Sequence, residues 1–179
     1  MMVAPSVAHG SIIEFTNKAA WQSVVPSHTT VDFTGYPDET QLSIQYTETH
    51  GVTFAGLSFI YHTTSFPNDG EGVVGMPGSR FFFETPRQAV AVDYVSNIRF
   101  ELHYKGALIY TSGNFMTSHG STFAGLISDV PFDEVYLYRP ITPGLVFYDD
   151  LHFGPPIPAP GALGVFALAA FGCRRRRRS

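Results

Sequence analysis

Apolar side chains recur at every second position in two neighbouring stretches of this chain. Val90, Val92 and Tyr94 alternate with Ala91 and Asp93, and Phe100, Leu102 and Tyr104 alternate with Glu101 and His103. A period of two sends successive side chains to opposite faces of a pleated strand, so both stretches read as half-buried antiparallel strands. Lys105-Gly106 then links Ile98 to Tyr104 with Ala107 to Thr111, which predicts a hairpin.

The same kind of run recurs along the chain: Ile12 to Thr16, Thr29 to Phe33, Leu42 to Thr47, Gly51 to Phe54, Leu57 to His62, Arg80 to Glu84, Ala89 to Val95, Glu134 to Tyr138 and Val146 to Phe153. Turn signals separate the runs, among them Pro67-Asn68-Asp69-Gly70, Met76-Pro77-Gly78 and Ser112-Gly113-Asn114. Only Asn17 to Ser23 reads as a helical turn, with Asn17 as its N-cap. With 16 Phe, 9 Tyr, 17 Gly and 13 Pro, composition agrees with a turn-rich strand protein. Long crossover helices are missing from the pattern, which makes a parallel βαβ sheet a poor fit. The expected fold is all-β, an antiparallel jelly-roll-like β-sandwich with one short N-terminal helix, followed by a C-terminal hydrophobic helix.

Charge is unevenly placed. Five of the 11 basic residues are Arg174, Arg175, Arg176, Arg177 and Arg178, which leaves six basic residues against 15 acidic ones in the rest of the chain. An acidic body without a basic stripe argues against nucleic acid as a partner. The single cysteine, Cys173, rules out an intrachain disulfide, so the body relies on side-chain packing.

Three zones follow one another at the C-terminus: Pro155-Pro156-Ile157-Pro158-Ala159-Pro160-Gly161, the apolar run Ala162 to Gly172, and Cys173 with the arginines. Proline fixes φ and lacks a backbone donor, so the first zone is an extended spacer that joins neither sheet nor helix. The apolar run is shorter than the ~20 residues of a spanning helix. The arginines behind it would hold that end at the cytoplasmic face and leave the body outside. At the other end, residues 1–10 would be the remnant of a secretion signal or a disordered terminus. The chain therefore divides into 1–10, a sandwich domain over 11–154, a spacer over 155–161 and a tail over 162–179.

The order of proline motif, apolar run and arginine cluster resembles the PEP-CTERM sorting signal of bacterial exported proteins, with Pro158-Ala159-Pro160-Gly161 where that family has Pro-Glu-Pro. Tyr46 to Phe54, Phe123 to Val135 and Tyr148 to Gly154 are similar to segments of the domains joined to such tails. The resemblance implies a β-sandwich with a surface role. It also implies an exosortase-type membrane protease as partner and transient anchoring in the inner membrane through the tail.

Candidate chemistry is sparse. Carbohydrate-binding jelly rolls hold a structural calcium between first and last strands, and by that analogy Glu14 and Asp150 are the candidate ligands. Asp150 would otherwise accept hydrogen bonds from loop amides. The seven histidines show neither His-x-x-x-His nor His-Glu-x-x-His, and no nucleophile elbow, Walker loop or dinucleotide fingerprint is present. No catalytic residue is nominated. His50 to Leu57 matches His119 to Leu126 at seven of eight positions, which suggests two equivalent strand entries or a paired binding edge. Tyr36, Tyr61, Tyr110 and Trp21 are aromatic candidates for stacking on sugar rings. The expected function is thus that of an exported, noncatalytic surface or matrix protein binding glycan or extracellular polymer, with extracellular polysaccharide as a candidate partner. A glycan-active enzyme of the same fold and a structural protein-interaction module are the alternatives.

Overall fold

The computed structural model describes residues 11–62, 71–117, 122–140 and 144–155. Its elements are β1 (Ile12–Phe15), α1 (Lys18–Val24), β2 (Thr29–Val31), α2 (Thr47–His50), β3 (Val52–His62), β4 (Glu71–Tyr94), β5 (Arg99–Tyr104), β6 (Ala107–Thr111), β7 (Phe123–Tyr138) and β8 (Val146–Gly154). The body is all-β and mostly antiparallel, as the alternation of apolar residues predicts. The sorting-motif residues Pro158, Ala159, Pro160, Gly161 and Arg174 to Arg178 lie outside the described residues, as do the expected tail helix and residues 1–10.

Two long strands build the sandwich. The first part of β4 pairs with β3, while its Gly78–Phe82 stretch pairs with Tyr138–Glu134 of β7, which in turn carries β5 and β6. Further along, Ala89–Asp93 of β4 pairs with Ile127–Phe123 of β7, now flanked by β8 with β2 on one side and β1 on the other. Register breaks at Arg87 mark where the β4–β7 pair turns from one layer into the other. Along a second seam, Val73–Gly75 of β4 meets Tyr148–Val146 of β8.

This continuity departs from the sequence reading, which ends strands at Met76-Pro77-Gly78. Here the chain bends sharply within β4 without leaving the sheet, and a Cβ at Gly75 would stand 2.7 Å from the Gly78 carbonyl carbon. Leu42 to Thr47, expected as a strand, instead contributes buried Leu42 and Tyr46 from a loop and leads into α2. The Lys105-Gly106 hairpin forms as expected, both residues taking positive φ (51° and 77°).

Between the layers lies the main core, with Phe81, Phe54, Phe100, Leu102, Val135 and Leu137 from one side and Val90, Val92, Tyr94, Leu126, Leu151 and Phe153 from the other. Alternation sends the intervening residues of the second layer outward, where Ala89, Ala91, Phe123 and Ile127 meet Trp21 and Val25 of α1 in a smaller cluster. Asn17 caps that helix as expected, its side chain accepting from the Ala20 amide at 2.9 Å. Apolar residues therefore fill both faces of the second layer, and α1 closes its outer one.

The two near-identical octapeptides turn out not to be equivalent. Phe54 enters the main core, whereas its counterpart Phe123 sits under α1. Leu57 is half-exposed, whereas Leu126 is buried. Phe54 pairs with the inward-facing Phe81 of β4, whereas Phe123 pairs with the outward-facing Asp93, so the same motif meets β4 on opposite faces.

Candidate functional site

The outer face of the second layer carries a polar group at one end of the α1 cluster. Asp93 leaves β4 beside Ala91. On β8, His152 stands opposite Ala91, and Asp150 is an extra residue, because Val92 faces Leu151 while Asp93 faces Asp149. Asp150 takes a positive φ of 38°, and its amide donates to Asp149 Oδ1 at 2.8 Å. This bulge interrupts the regular strand expected over Val146 to Phe153.

Lys18, from the first turn of α1, closes the group. Its Nζ lies 2.6 Å from Asp93 Oδ2 and 3.4 Å from Asp150 Oδ2. His152 Nε2 lies 3.5 Å from the same Asp93 oxygen, and its Nδ1 shares a 2.8 Å hydrogen bond with Thr30 Oγ1 across the β2–β8 pair. Ligand atoms of Asp93, Asp150 and His152 all fall within 4.8 Å of one another. Around the imidazole stand the rings of His28, Trp21 and Phe123, at 5.6, 6.1 and 6.3 Å between centroids.

Burial and charge compete within the group. Burial pushes the Asp93 carboxyl up, but hydrogen bonds from His152 and Lys18 and the Lys18 charge together hold it below the ordinary carboxylate range. Asp150 goes the other way, raised mainly by burial against the pull of Lys18. Burial alone would lower the Lys18 ammonium, yet the two carboxylates raise it. The group can hold a cation, and at present the cation is an ammonium.

Of the two ligands expected from sequence, Asp150 belongs to this group and Glu14 does not. Glu14 Oε1 accepts from the Gly113 amide at 2.7 Å and from the Tyr110 hydroxyl at 2.9 Å. β7 and β4 stand between β1 and β8, and three strand spacings amount to roughly 14 Å. First and last strands are thus not neighbours. Asp93, His152 and Lys18 escape a sequence reading because 75 and 59 residues separate Asp93 from its partners. One signal was present for two of them: Asp93 and His152 each stand between apolar neighbours, in Val92-Asp93-Tyr94 and Leu151-His152-Phe153.

A second surface lies on the outer face of the other layer. Strand alternation turns Arg80 from β4, Glu134, Tyr136 and Tyr138 from β7, and Glu101 and His103 from β5 to this face, all half-buried except Glu134, which is buried. The Arg80 guanidinium sits 5.0 Å from the centroid of the Tyr136 ring and 2.6 Å from Glu134 Oε1, and Tyr136 stacks on Tyr138 at 5.2 Å with 15° between planes. None of the aromatics expected to stack on sugars belongs to this column. Trp21 is fully buried beneath α1, Tyr36 lies edge-on against Tyr46, and Tyr110 is tied to Glu14.

No family model matches this chain, and no curated protein matches it. Among the described residues, no helix is long and apolar enough to cross a membrane.

Proposed function

We propose that this protein is an exported, noncatalytic module with a jelly-roll-like sandwich, retained at the cell surface or in the extracellular matrix, where it binds polysaccharide or a related polymer. The observation that carries the reading is the order of segments after β8. The closing strand ends at Gly154, and the proline spacer, apolar run and arginine cluster follow at once. Prolines directly after the closing strand cannot extend its pairing, which supports reading the segment beyond them as a signal for the membrane and an exosortase-type protease.

The polymer would lie across the Arg80–Tyr136–Tyr138 column. That face offers hydroxyls, a guanidinium and carboxylates on a rigid sheet, the donor and acceptor set that sugar hydroxyls require. Its aromatic column gives the sheet an apolar ridge between charged groups.

Fractionation of the native host, with mass spectrometry of the C-terminus, tests the targeting half of the proposal. A surface form lacking Arg174 to Arg178 is the expected result. A mature surface protein with those arginines intact would overturn processing of the tail, and a wholly cytosolic protein would overturn export.

A further inference from the structure

We infer that Asp93, Asp150 and His152 form a divalent-metal site that Lys18 keeps closed, and that a borderline transition ion such as Zn²⁺ exchanges with the Lys18 ammonium, which swings into solvent. Three features carry the inference. Two carboxylate oxygens and an imidazole nitrogen converge within 4.8 Å from adjacent strands. Ligands of a tetrahedral zinc at about 2.0–2.2 Å from the metal stand roughly 3.3–3.6 Å apart, so side-chain movements of about 1–1.5 Å bring the three together, and a water takes the fourth position.

The second feature is the imidazole itself. His152 is buried, and its Nδ1 is held by Thr30 so that Nε2 is aimed at Asp93. One ring nitrogen fixed by an outer partner while the other is presented to the centre is how metal-binding histidines are oriented. An imidazole donor also selects the metal. Calcium wants six to eight oxygens, whereas a nitrogen with two carboxylates suits zinc and its neighbours.

The third is the occupant. An ammonium 2.6 and 3.4 Å from the two carboxylates shows that the space between them accommodates positive charge. The Lys18 side chain keeps 35% of its surface in solvent, whereas Trp21 in the same helix is fully buried. Lys18 can therefore swing out while the indole keeps the helix seated. A divalent ion brings twice the charge of the group that it replaces, which favours the exchange.

Lysine labelling tests this in the wild-type chain, because Lys18 and Lys105 are its only lysines. With an amine-reactive reagent and peptide mass spectrometry, Zn²⁺ should speed modification of Lys18 several-fold and leave Lys105 unchanged. Calorimetric titration of the full chain with Zn²⁺ should show binding to Lys18→Met about tenfold tighter than to wild type. Adding His152→Gln to that variant should weaken binding by about tenfold or more. Zn²⁺ binding with no change at Lys18 would overturn the exchange. Failure of Lys18→Met to bind Zn²⁺ would overturn the site, provided near-ultraviolet dichroism shows Trp21 still packed. So would binding that is indifferent to His152→Gln.

Discussion

Gly125 lies directly beneath the indole of Trp21, and a Cβ at residue 125 would stand 2.6 Å from Trp21 Cδ1. This contact seats α1 on the sheet, with the indole Nε1 donating to the Leu126 carbonyl at 3.4 Å. Gly125→Ala should therefore destabilise the fold by about 1–3 kcal/mol, the usual cost of overpacking a close-packed contact. Urea unfolding followed by Trp21 fluorescence measures it, and an unchanged midpoint would mean that α1 has slack.

Gly154 and Val25 make the same arrangement at the other end of the helix, where a Cβ would meet Val25 Cγ1 at 2.5 Å. Gly154→Ala alone should lower the melting temperature. Combined with Val25→Ala, which removes the obstructing methyl, much of the loss should return. A double variant no better than the sum of the singles would place the strain elsewhere.

The ammonium–carboxylate contacts predict how stability depends on pH. Asp93 is held below its ordinary 3.8, so its contribution is present above pH 3.8 and is lost as pH falls through the lower folded value. Lys18 is raised above 10.5, so its contribution is present below pH 10.5 and fades as pH rises through the higher folded value. Asp150, raised above 3.8, opposes Asp93 in mild acid. At neutral pH Lys18→Met should cost between the ~1 kcal/mol of exposed pairs and the ~3 kcal/mol of buried ones, because a third of Lys18 stays in solvent. Chemical unfolding across pH checks both limbs, and Lys18→Met should show a shallower alkaline one, because Tyr46, Tyr110 and Tyr148, also raised above 10.0, still contribute to it.

Glu14 fastens β1 to the turn after β6. Burial, with the hydrogen bond and charge of Glu14 added, pushes the Tyr110 hydroxyl up to about 12. Glu14→Ala should bring the tyrosinate transition down towards the ordinary value and cost about 1 kcal/mol. Ultraviolet difference titration follows it, and added calcium should leave the wild-type transition in place. A calcium-dependent shift would return Glu14 to the list of cation ligands.

Polymer binding should depend on the aromatic column. Tyr136→Ala with Tyr138→Ala should reduce retention on insoluble host polysaccharide several-fold while the melting temperature falls little, since both side chains are only half-buried. Undiminished retention would move the binding surface elsewhere.

Alternation in Ala89 to Val95 and Ile98 to Tyr104 was enough to specify strands and the Lys105-Gly106 hairpin, because side-chain period follows directly from backbone geometry, but the half-buried reading fails for Ala89 to Tyr94, which α1 covers on the outer face. Asn17 likewise announced its helix, since an N-cap acts over three residues. The bends of β4 and β7 were not legible. Gly, Pro and polar residues that normally end a strand are here absorbed as bulges by partners distant in the chain, and this made two strands out of what local signals divided. The same limit hid the second octapeptide's change of face.

Strand content, the acidic body and the C-terminal order of proline, apolar and arginine segments are properties of neighbouring residues and can be read along the chain. Tertiary structure alone decided that Asp150 joins Asp93, His152 and Lys18 rather than Glu14. Strand register and a one-residue bulge decide which carboxylates meet, and both are fixed by packing between residues that sequence distance keeps apart.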